Sequence, residues 1–370
     1  MINRAKLRGK SLDADCKRAN ISRHEYGEKD DRLFCFGFTL FYSFYMKNLV
    51  TTKTKIEKQV SITENGIAEA VEKVYDSVTV VESLKNNHVY QTGTGFVFKT
   101  DEQYGYILTN YHVIEGAEEI QIILTNEEKI KANIVGSDEY SDIAVLKINK
   151  DQVIEVASLG SSEDLKIGDT LFAVGAPLDA EIYSNSVTRG ILSGKNRLVE
   201  VTNSKMNTYI MEVLQTDTAI NSGNSGGPLC NSNGEVIGIT NMKLASTAVE
   251  GMGFAIPIET AEQYANIIIE GKTITRPYLG ISIYEAKTMF TSTSEGIYIE
   301  SVVNDSPAAK AGLQPGDKII KINNIDIKSV SYFKYTLYKQ NVGSAIKLTY
   351  IRNNQEKTID IKLESQNQKA

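Results

Sequence analysis

The stretch 216–229, TDTAINSGNSGGPL, contains the most informative local pattern in the chain. Gly223 lies two residues before Ser225, and two further glycines follow the serine directly, so the backbone can fold tightly there. A serine hydroxyl is a weak nucleophile, and it needs a base together with N–H donors for the oxygen of a tetrahedral intermediate. The N–H groups of Gly223 and Ser225, with Asn224 between them, can form such an oxyanion hole. A plain surface turn would have the same local composition, so a base must be found elsewhere.

Histidine is the base that such a serine needs, and the chain has three: His24, His88 and His112. His24 lies in a charged leader, and His88 follows the polar run 85–87 in a predicted loop. His112 follows the strand-like run 105–109 in the segment YILTNYHVIEG, so the end of a strand would present it. The sequence therefore favours His112 as the base.

A carboxylate must accept a hydrogen bond from the second ring nitrogen of the histidine and so hold the required tautomer. Asp142 precedes the apolar run 143–146, where a carboxylate can be largely buried. Asp138 and Asp217 compete for this role on chemistry alone, although the pattern around each is typical of a turn or a cap.

Length and composition indicate globular material in more than one domain. The chain has 370 residues, of which 41% are apolar and 23% charged, enough for a sizeable core. The net charge of −6, with no basic stripe in the globular part, argues against nucleic acid as a partner. Cys16, Cys35 and Cys230 are widely spaced, and the histidines are scattered without an HExxH motif. We therefore predict no disulfide framework, no metal and no other cofactor.

The N-terminal segment has a different character. Residues 1–32 mix charges of both signs, and 33–46 (LFCFGFTLFYSFYM) contains no charge. As a helix this run would be about 21 Å long, short of the roughly 30 Å hydrocarbon core of a bilayer. No small-residue cleavage site follows it, which disfavours a signal peptide. A short membrane anchor and a poorly ordered apolar segment are equally compatible with the pattern.

The remainder divides into two β-rich parts. From about residue 78 to 257, short runs of Val, Ile, Tyr and Thr alternate with turn residues, a spacing that suits a barrel or a sandwich. The period then becomes helical over 259–270, with Gly271 as a C-cap, and a hinge over 273–277 leads into the second part. The predicted divisions are a leader and linker over 1–59, one domain over 60–271 and another over 278–364.

The order His, Asp, Ser within TNYHVI, SDIAVLKI and TDTAINSGNSGGPL resembles the trypsin-like proteases and, more narrowly, the HtrA/Deg family. The resemblance covers the chain from about residue 60 onward. Further matching segments are GTGF at 93–96, GD at 168–169, GAP at 175–177 and GMGFAIP at 251–257. The resemblance implies a mostly β fold, namely a trypsin-like double six-stranded β-barrel protease domain followed by a PDZ domain.

The resemblance also assigns roles. Ser225 would be the nucleophile and His112 the general base and then acid. Asp142, rather than Asp138 or Asp217, would be the carboxylate that orients the histidine.

Outside this triad, the resemblance places the substrate pocket at Ile220 and at the loop of Asn241, Met242, Lys243 and Leu244. The family tends to cleave after small aliphatic residues such as Val or Ala. Lys243 stands where some members have an apolar residue, which leaves the selectivity of the pocket open. Arg197 matches the arginine of a regulatory sensor loop, whereas its local pattern alone is typical of a solvated turn.

A second resemblance concerns the segment YLGI at 278–281, which is similar to the carboxylate-binding loop of PDZ domains. The predicted peptide-binding residues are Tyr278, Leu279, Gly280 and Ile281. In that loop, backbone N–H groups capture a C-terminal carboxylate while the peptide adds a strand to the sheet edge. The segments 296–297, 306–309 and 311–320 strengthen the resemblance, and 330–340 is the predicted helix beside the groove. The alternative is a small β-domain used only for packing.

Two functions from different classes follow. The resemblance implies an ATP-independent serine endopeptidase for unfolded or damaged proteins, acting in quality control and stress response through an acyl-enzyme. The alternative is a holding chaperone or PDZ adaptor with a relic protease domain, which the intact triad and glycine framework disfavour. Family members usually form homotrimers and work outside the bacterial cytoplasm, often tethered to a membrane. The expected partners are unfolded proteins, peptide C-termini and further copies of the chain, with 33–46 as the candidate membrane attachment.

Overall fold

Two closed six-stranded β-barrels follow one another in the computed structural model of the protein, and a smaller β-sheet unit comes after them. The structure describes residues 64–175, 186–202, 208–221, 223–241, 251–286 and 295–365, all within one compact unit, Ile62–Ala370. The apolar segment 33–46 and the predicted pocket residues Met242, Lys243 and Leu244 lie outside the described residues. The predicted double barrel is confirmed.

The first barrel has the antiparallel strand order β1-β2-β3-β6-β5-β4. Its strands are β1 (Val78–Lys85), β2 (His88–Thr100), β3 (Tyr104–Thr109), β4 (Glu119–Ile123), β5 (Lys129–Asp138) and β6 (Ile143–Asn149). Helix α1 (Glu64–Tyr75) precedes it, the single turn α2 (Tyr111–Ile114) connects β3 to β4, and a 3₁₀ turn (Lys150–Gln152) follows β6. Branched side chains such as Val81, Ile107 and Leu146 fill the interior, because alternate residues of a closed sheet point inward.

The second barrel has the order β10-β11-β12-β9-β8-β7. Its strands are β7 (Thr170–Gly175), β8 (Ser186–Thr202), β9 (Thr208–Thr216), β10 (Pro228–Asn231), β11 (Val236–Thr240) and β12 (Gly253–Pro257). Helix α3 (Ile258–Ile269), predicted over 259–270, packs on β5, β6 and β11, so it bridges the barrels. The largest cluster of buried side chains, which includes Phe96, Phe172 and Ile239, joins strands of both barrels. Residues at the junction of the two barrels are therefore packed against strands of both barrels.

The last unit is a sheet of order β14-β15-β16-β18-β19, with β17 paired to β16 and a separate β13–β20 pair. The strands are β13 (Pro277–Tyr278), β14 (Ile281–Ala286), β15 (Gly296–Val302), β16 (Lys318–Ile322), β17 (Ile325–Asp326), β18 (Ala345–Arg352), β19 (Gln355–Lys362) and β20 (Glu364–Ser365). Helices α4 (Pro307–Lys310) and α5 (Val330–Tyr338) complete it. Phe333 and Leu337 of α5 are buried against the sheet, and β14 is an edge strand.

The described helices include none that is both long enough and apolar enough to cross a membrane.

Candidate active site

His112 lies on α2, where Asp142 holds it through two contacts. Its Nδ1 lies 2.7 Å from Oδ2 of Asp142, and its backbone N–H donates to Oδ1 of the same carboxylate at 2.9 Å. A carboxylate accepts hydrogen bonds, so Nδ1 carries the ring proton and Nε2 keeps its lone pair. This arrangement gives His112 the tautomer and orientation of a general base.

Asp142 is only 1% exposed and has a φ of 54°, in the left-handed region that non-glycine residues seldom adopt. Hydrogen bonds hold its backbone there. Its carbonyl accepts from Nδ2 of Asn110 at 2.9 Å and from the N–H of Tyr111 at 3.2 Å. The segment before His112 and the turn before β6 therefore fix each other.

The two alternative carboxylates have other partners. Asp138 accepts the N–H and the Oγ of Ser141 at 2.8 and 2.7 Å, and Asp217 accepts the N–H of Ile191 at 2.6 Å. The Asp138 contacts are local and stabilise the turn before β6, as its sequence pattern predicts. Asp217 instead joins the segment after β9 to strand β8, 26 residues away. Of these three candidates, Asp142 is the one in contact with the histidine.

Asn241 is a further member of this cluster; the sequence analysis placed it in the pocket loop and missed its contact with Asp142. It is fully buried, and its Nδ2 donates to Oδ2 of Asp142 at 2.6 Å, the oxygen that also contacts the histidine ring. Its N–H donates to the carbonyl of Phe254 at 3.0 Å. The available signal was an asparagine directly after the fully buried strand β11, because a buried amide requires a polar partner.

Ser225 lies in the turn between β9 and β10, is 6% exposed, and contacts the first barrel. Its carbonyl accepts the N–H of Thr94 on β2 at 2.8 Å. The next residue, Gly226, has a φ of 86°, and a Cβ there would lie 2.2 Å from the carbonyl oxygen of Thr94 and 3.0 Å from the nitrogen of Asn110. Only glycine lets the serine turn approach the segment that leads into His112 this closely.

The predicted oxyanion residues form the same turn. Gly223 has a φ of 102°, and its carbonyl accepts the hydroxyl of Thr94 at 2.6 Å. The N–H of Asn224 donates to the carbonyl of Asn221 at 3.1 Å, so this amide is used within the turn. Ser222, which sets the direction of the Gly223 N–H, lies outside the described residues. The oxyanion hole therefore stays a prediction.

Apart from Asn241, the predicted pocket and regulatory residues that the structure describes are Ile220, between β9 and β10, and Arg197, on β8. Ile220 is half-buried, and a Cβ on Gly253 would lie 2.7 Å from its Cγ1, so this glycine makes room for the isoleucine. Arg197 is exposed on β8, and its Nε donates to Oε1 of Gln215 at 3.1 Å. Their proposed roles in specificity and regulation stay predictions.

Comparison with known proteins matches both parts of the chain. A model of the trypsin-like peptidase domain matches residues 93–239, and a PDZ domain model matches 277–363. The serine protease Do-like HtrA of Bacillus subtilis (strain 168) is 40% identical over 292 residues, which are 75% of this chain and 65% of that relative. The serine protease Do-like HtrA of Lactococcus lactis subsp. cremoris (strain MG1363) is 36% identical over 352 residues, covering 85% of this chain and 86% of the relative.

The chain belongs to the HtrA family of serine proteases. It carries a trypsin-like serine endopeptidase domain followed by one PDZ domain. Among solved structures, the serine endoprotease from Yersinia pestis has a TM-score of 0.61 and 32% identity, covering 83% of this chain and 99% of that one. The HtrA-type protease AlgW with a decapeptide has a TM-score of 0.63 and 28% identity, covering 81% and 98%.

In this HtrA-family chain the four predicted PDZ residues surround the start of the edge strand β14. Tyr278 ends β13 and is half-buried, and Leu279 is buried with its carbonyl accepting the N–H of Ala308 at 3.0 Å. Gly280 has a φ of 83°, and Ile281 begins β14. The loop is thus fixed against α4 beside the edge of β14 that pairs with no other strand among the described residues.

Arg276 connects the hinge of this HtrA-family protease to its catalytic domain, a contact that the sequence analysis also missed. Its Nη2 donates to Oδ2 of Asp138 at 2.5 Å. The guanidinium carbon lies 4.8, 6.0 and 5.7 Å from the ring centres of Tyr140, Tyr264 and Tyr338. Burial alone would lower the pKa of Arg276, but the hydrogen bond to the aspartate raises it. The interactions of the guanidinium with Asp138 and the neighbouring tyrosines therefore together outweigh the effect of burial on the pKa of Arg276.

Helix α5 of the PDZ domain also contacts the β8–β9 hairpin. Nζ of Lys339, the residue after α5, and the hydroxyl of Tyr335 donate to Oε2 of Glu212 at 2.5 and 2.9 Å. Ser331 donates to Glu200. Burial alone would raise the pKa of Glu212, but these two donors lower it. The helix that flanks the proposed peptide groove thus has one face on the peptidase domain.

Proposed function

We propose that this HtrA-family chain is an ATP-independent endopeptidase for unfolded or damaged proteins, acting outside the cytoplasm with Ser225 as its nucleophile. One observation carries the proposal: the Asp142 carboxylate contacts Nδ1 of His112 at 2.7 Å and accepts its backbone N–H at 2.9 Å. The turn that contains Ser225 packs against the segment that leads into this histidine. The names of relatives support the location, since one matched protein of Pseudomonas putida (strain W619) is called a probable periplasmic serine endoprotease DegP-like.

In the proposed mechanism, Ser225 Oγ attacks the carbonyl carbon of a peptide bond while Nε2 of His112 takes its proton. Asp142 keeps the imidazole oriented and stabilises the imidazolium. The N–H groups of Gly223 and Ser225 stabilise the oxyanion, each contributing about 3 kcal/mol. Collapse gives an acyl-enzyme, the histidine protonates the leaving amine, and water then releases the acyl group by the reverse proton route.

The proposed substrate class has two determinants. Ile220 fills space in front of Gly253, which supports a shallow apolar pocket for a small aliphatic side chain before the scissile bond. Edge strand β14 and the 278–281 loop support strand addition by a peptide C-terminus in the PDZ domain. Homotrimer formation and membrane attachment through 33–46 remain proposals from the family resemblance.

The test uses the full chain, a serine-reactive fluorophosphonate probe and unfolded casein. Wild type should label once, at Ser225, and should cut casein without ATP. Ser225→Ala should abolish both reactions while it still binds the unfolded chain. If the wild type neither labels nor cuts casein but still binds it, the protein is a holding chaperone instead. Cleavage that survives in Ser225→Ala would show that the nucleophile is a different residue.

A further inference from the structure

The helix turn that carries His112 is too short to satisfy its own carbonyl groups. The last carbonyls of any helix find no N–H donor within the helix. In α2, which has only four residues, this includes the carbonyl of His112 itself. Some other part of the protein must supply donors if the turn is to be held rigidly.

The donors come from side chains of the β1–β2 hairpin. Nε2 of Gln91 donates to the carbonyl oxygen of His112 at 2.7 Å. Ser83 Oγ donates to the carbonyl of Val113 at 2.7 Å, and the Tyr90 hydroxyl donates to that of Glu115 at 2.5 Å. Three carbonyls in and just after α2 are thereby fixed to one hairpin.

A bulge in β2 allows two neighbouring side chains to reach the same turn. Ser83 pairs with Gln91 and Leu84 with Val89, so Tyr90 is the extra residue. In a regular strand, successive side chains point to opposite faces. The bulge changes this alternation, and both Tyr90 and Gln91 donate to α2.

We propose that Gln91 is a positioning residue for the general base. Asp142 holds the imidazole and the N–H of His112, and Gln91 holds the carbonyl of the same residue. The histidine is thus fixed at both main-chain polar groups as well as at its ring. The inference rests on the proposed catalytic role of His112. It predicts that Gln91 affects the rate of the chemical step and leaves the affinity for substrate unchanged.

The test compares Gln91→Met, which keeps the length of the side chain but removes the donor, with Gln121→Met. Gln121 is a half-buried glutamine on β4 of the same barrel and serves as the matched control. In the full chain, fluorophosphonate labelling gives a limiting rate, a half-saturating probe concentration and a labelled fraction. We expect the limiting rate of Gln91→Met to fall about three- to tenfold, the effect of one lost hydrogen bond. The half-saturating probe concentration and the labelled fraction of Gln91→Met should stay at the wild-type values. Gln121→Met should remain within about twofold of wild type in limiting rate, half-saturating concentration and labelled fraction.

A second variant, Gln91→Glu, covers the case in which the methionine disturbs folding. Its ionised carboxylate cannot donate and repels the carbonyl of His112, so at pH 7 it should label at least as slowly as Gln91→Met. The inference is overturned if both Gln91 variants label at the control rate, or if only the labelled fraction falls. If the wild type itself does not label, the proposed function and this inference fail together; if it labels and the variants keep its rate, only the inference fails.

Discussion

At the scale of single residues, the carboxylate of Asp142 is the centre of the site. Its Oδ2 contacts both the His112 ring and Nδ2 of Asn241. Residues from three separated segments thus meet at one buried carboxylate, where the Asn241 amide donates to the same oxygen that holds the His112 ring.

Asn241→Ala removes this buried donor. A hydrogen bond to a charged group contributes about 1.5–3 kcal/mol, so kcat/KM on a peptide substrate should fall about 10- to 100-fold. Asn241→Asp should lose more, because a second carboxylate would face Asp142. Steady-state kinetics on both variants checks this expectation. An unchanged kcat/KM for the alanine variant would show that Asp142 needs no such donor.

Ile220→Ala should widen the proposed pocket. The space released beside Gly253 would accept a larger side chain before the scissile bond, such as Leu or Phe. Each methylene contributes about 1–3 kcal/mol to discrimination, so the ratio of kcat/KM for Leu over Ala should rise at least about tenfold. A panel of peptides that differ at this one position measures the ratio. An unaltered ratio would place the pocket elsewhere.

At the scale of elements, helix α3 joins the two barrels, and its first turn is fixed by Glu259. This carboxylate accepts the N–H and Oγ of Ser162 at 2.6 and 2.7 Å and the Oγ of Ser161 at 3.1 Å. Burial alone would raise the pKa of Glu259, but these hydrogen bonds lower it below the ordinary 4.5. The negative charge also lies at the positive end of the helix dipole.

The stabilisation by Glu259 should therefore depend on pH. Because the pKa is lower in the folded state, the unfolded chain binds the proton first as the pH falls, and the contribution is lost below about pH 4.5. Glu259→Gln should be less stable than wild type by about 1 kcal/mol at pH 7, a modest value because the group is partly solvated. Urea unfolding at pH 7 and pH 4 measures this. The difference in the free energy of unfolding between wild type and Glu259→Gln should be smaller at pH 4 than at pH 7. A larger difference at pH 4 would contradict the lowered pKa of Glu259.

At the scale of the whole molecule, Arg276 links the hinge between the domains to the turn that precedes Asp142. Asp138 accepts both this guanidinium and the N–H and Oγ of Ser141, the neighbour of Asp142. Tyr338 of the PDZ helix lies with its ring centre 4.9 Å from that of Tyr140 on the same turn. The PDZ domain and the turn that precedes Asp142 therefore share one packed cluster.

Arg276→Gln should loosen this cluster. The Arg276 and Asp138 side chains are only 16% and 10% exposed, so breaking the pair should cost up to about 3 kcal/mol. Lys272→Gln is the control. The side chains of Lys272 and its partner Glu270 are 70% and 53% exposed, so this ion pair contributes less than about 1 kcal/mol to the free energy of unfolding. Differential scanning calorimetry should show the PDZ and peptidase transitions separating in Arg276→Gln only. A single transition at the control temperature would mean that the cluster does not couple the domains.

The sequence by itself determined the class of fold and the residues proposed for the chemistry. Alternating apolar runs predict β-strands, and the glycines around Ser225 predict a tight turn, because both depend on neighbours along the chain. The family resemblance added the pairing of His112 with Asp142, and the contact at 2.7 Å agrees with it.

Only the tertiary structure revealed the residues that hold this chemistry in place. Asn241 is 99 positions from its partner Asp142, and Arg276 is 138 positions from Asp138. Gln91 reaches His112 from a strand whose regular alternation is interrupted by a bulge. Local pattern carries no signal for such contacts, since closure of the barrels and docking of the PDZ helix determine which distant polar groups must satisfy one another.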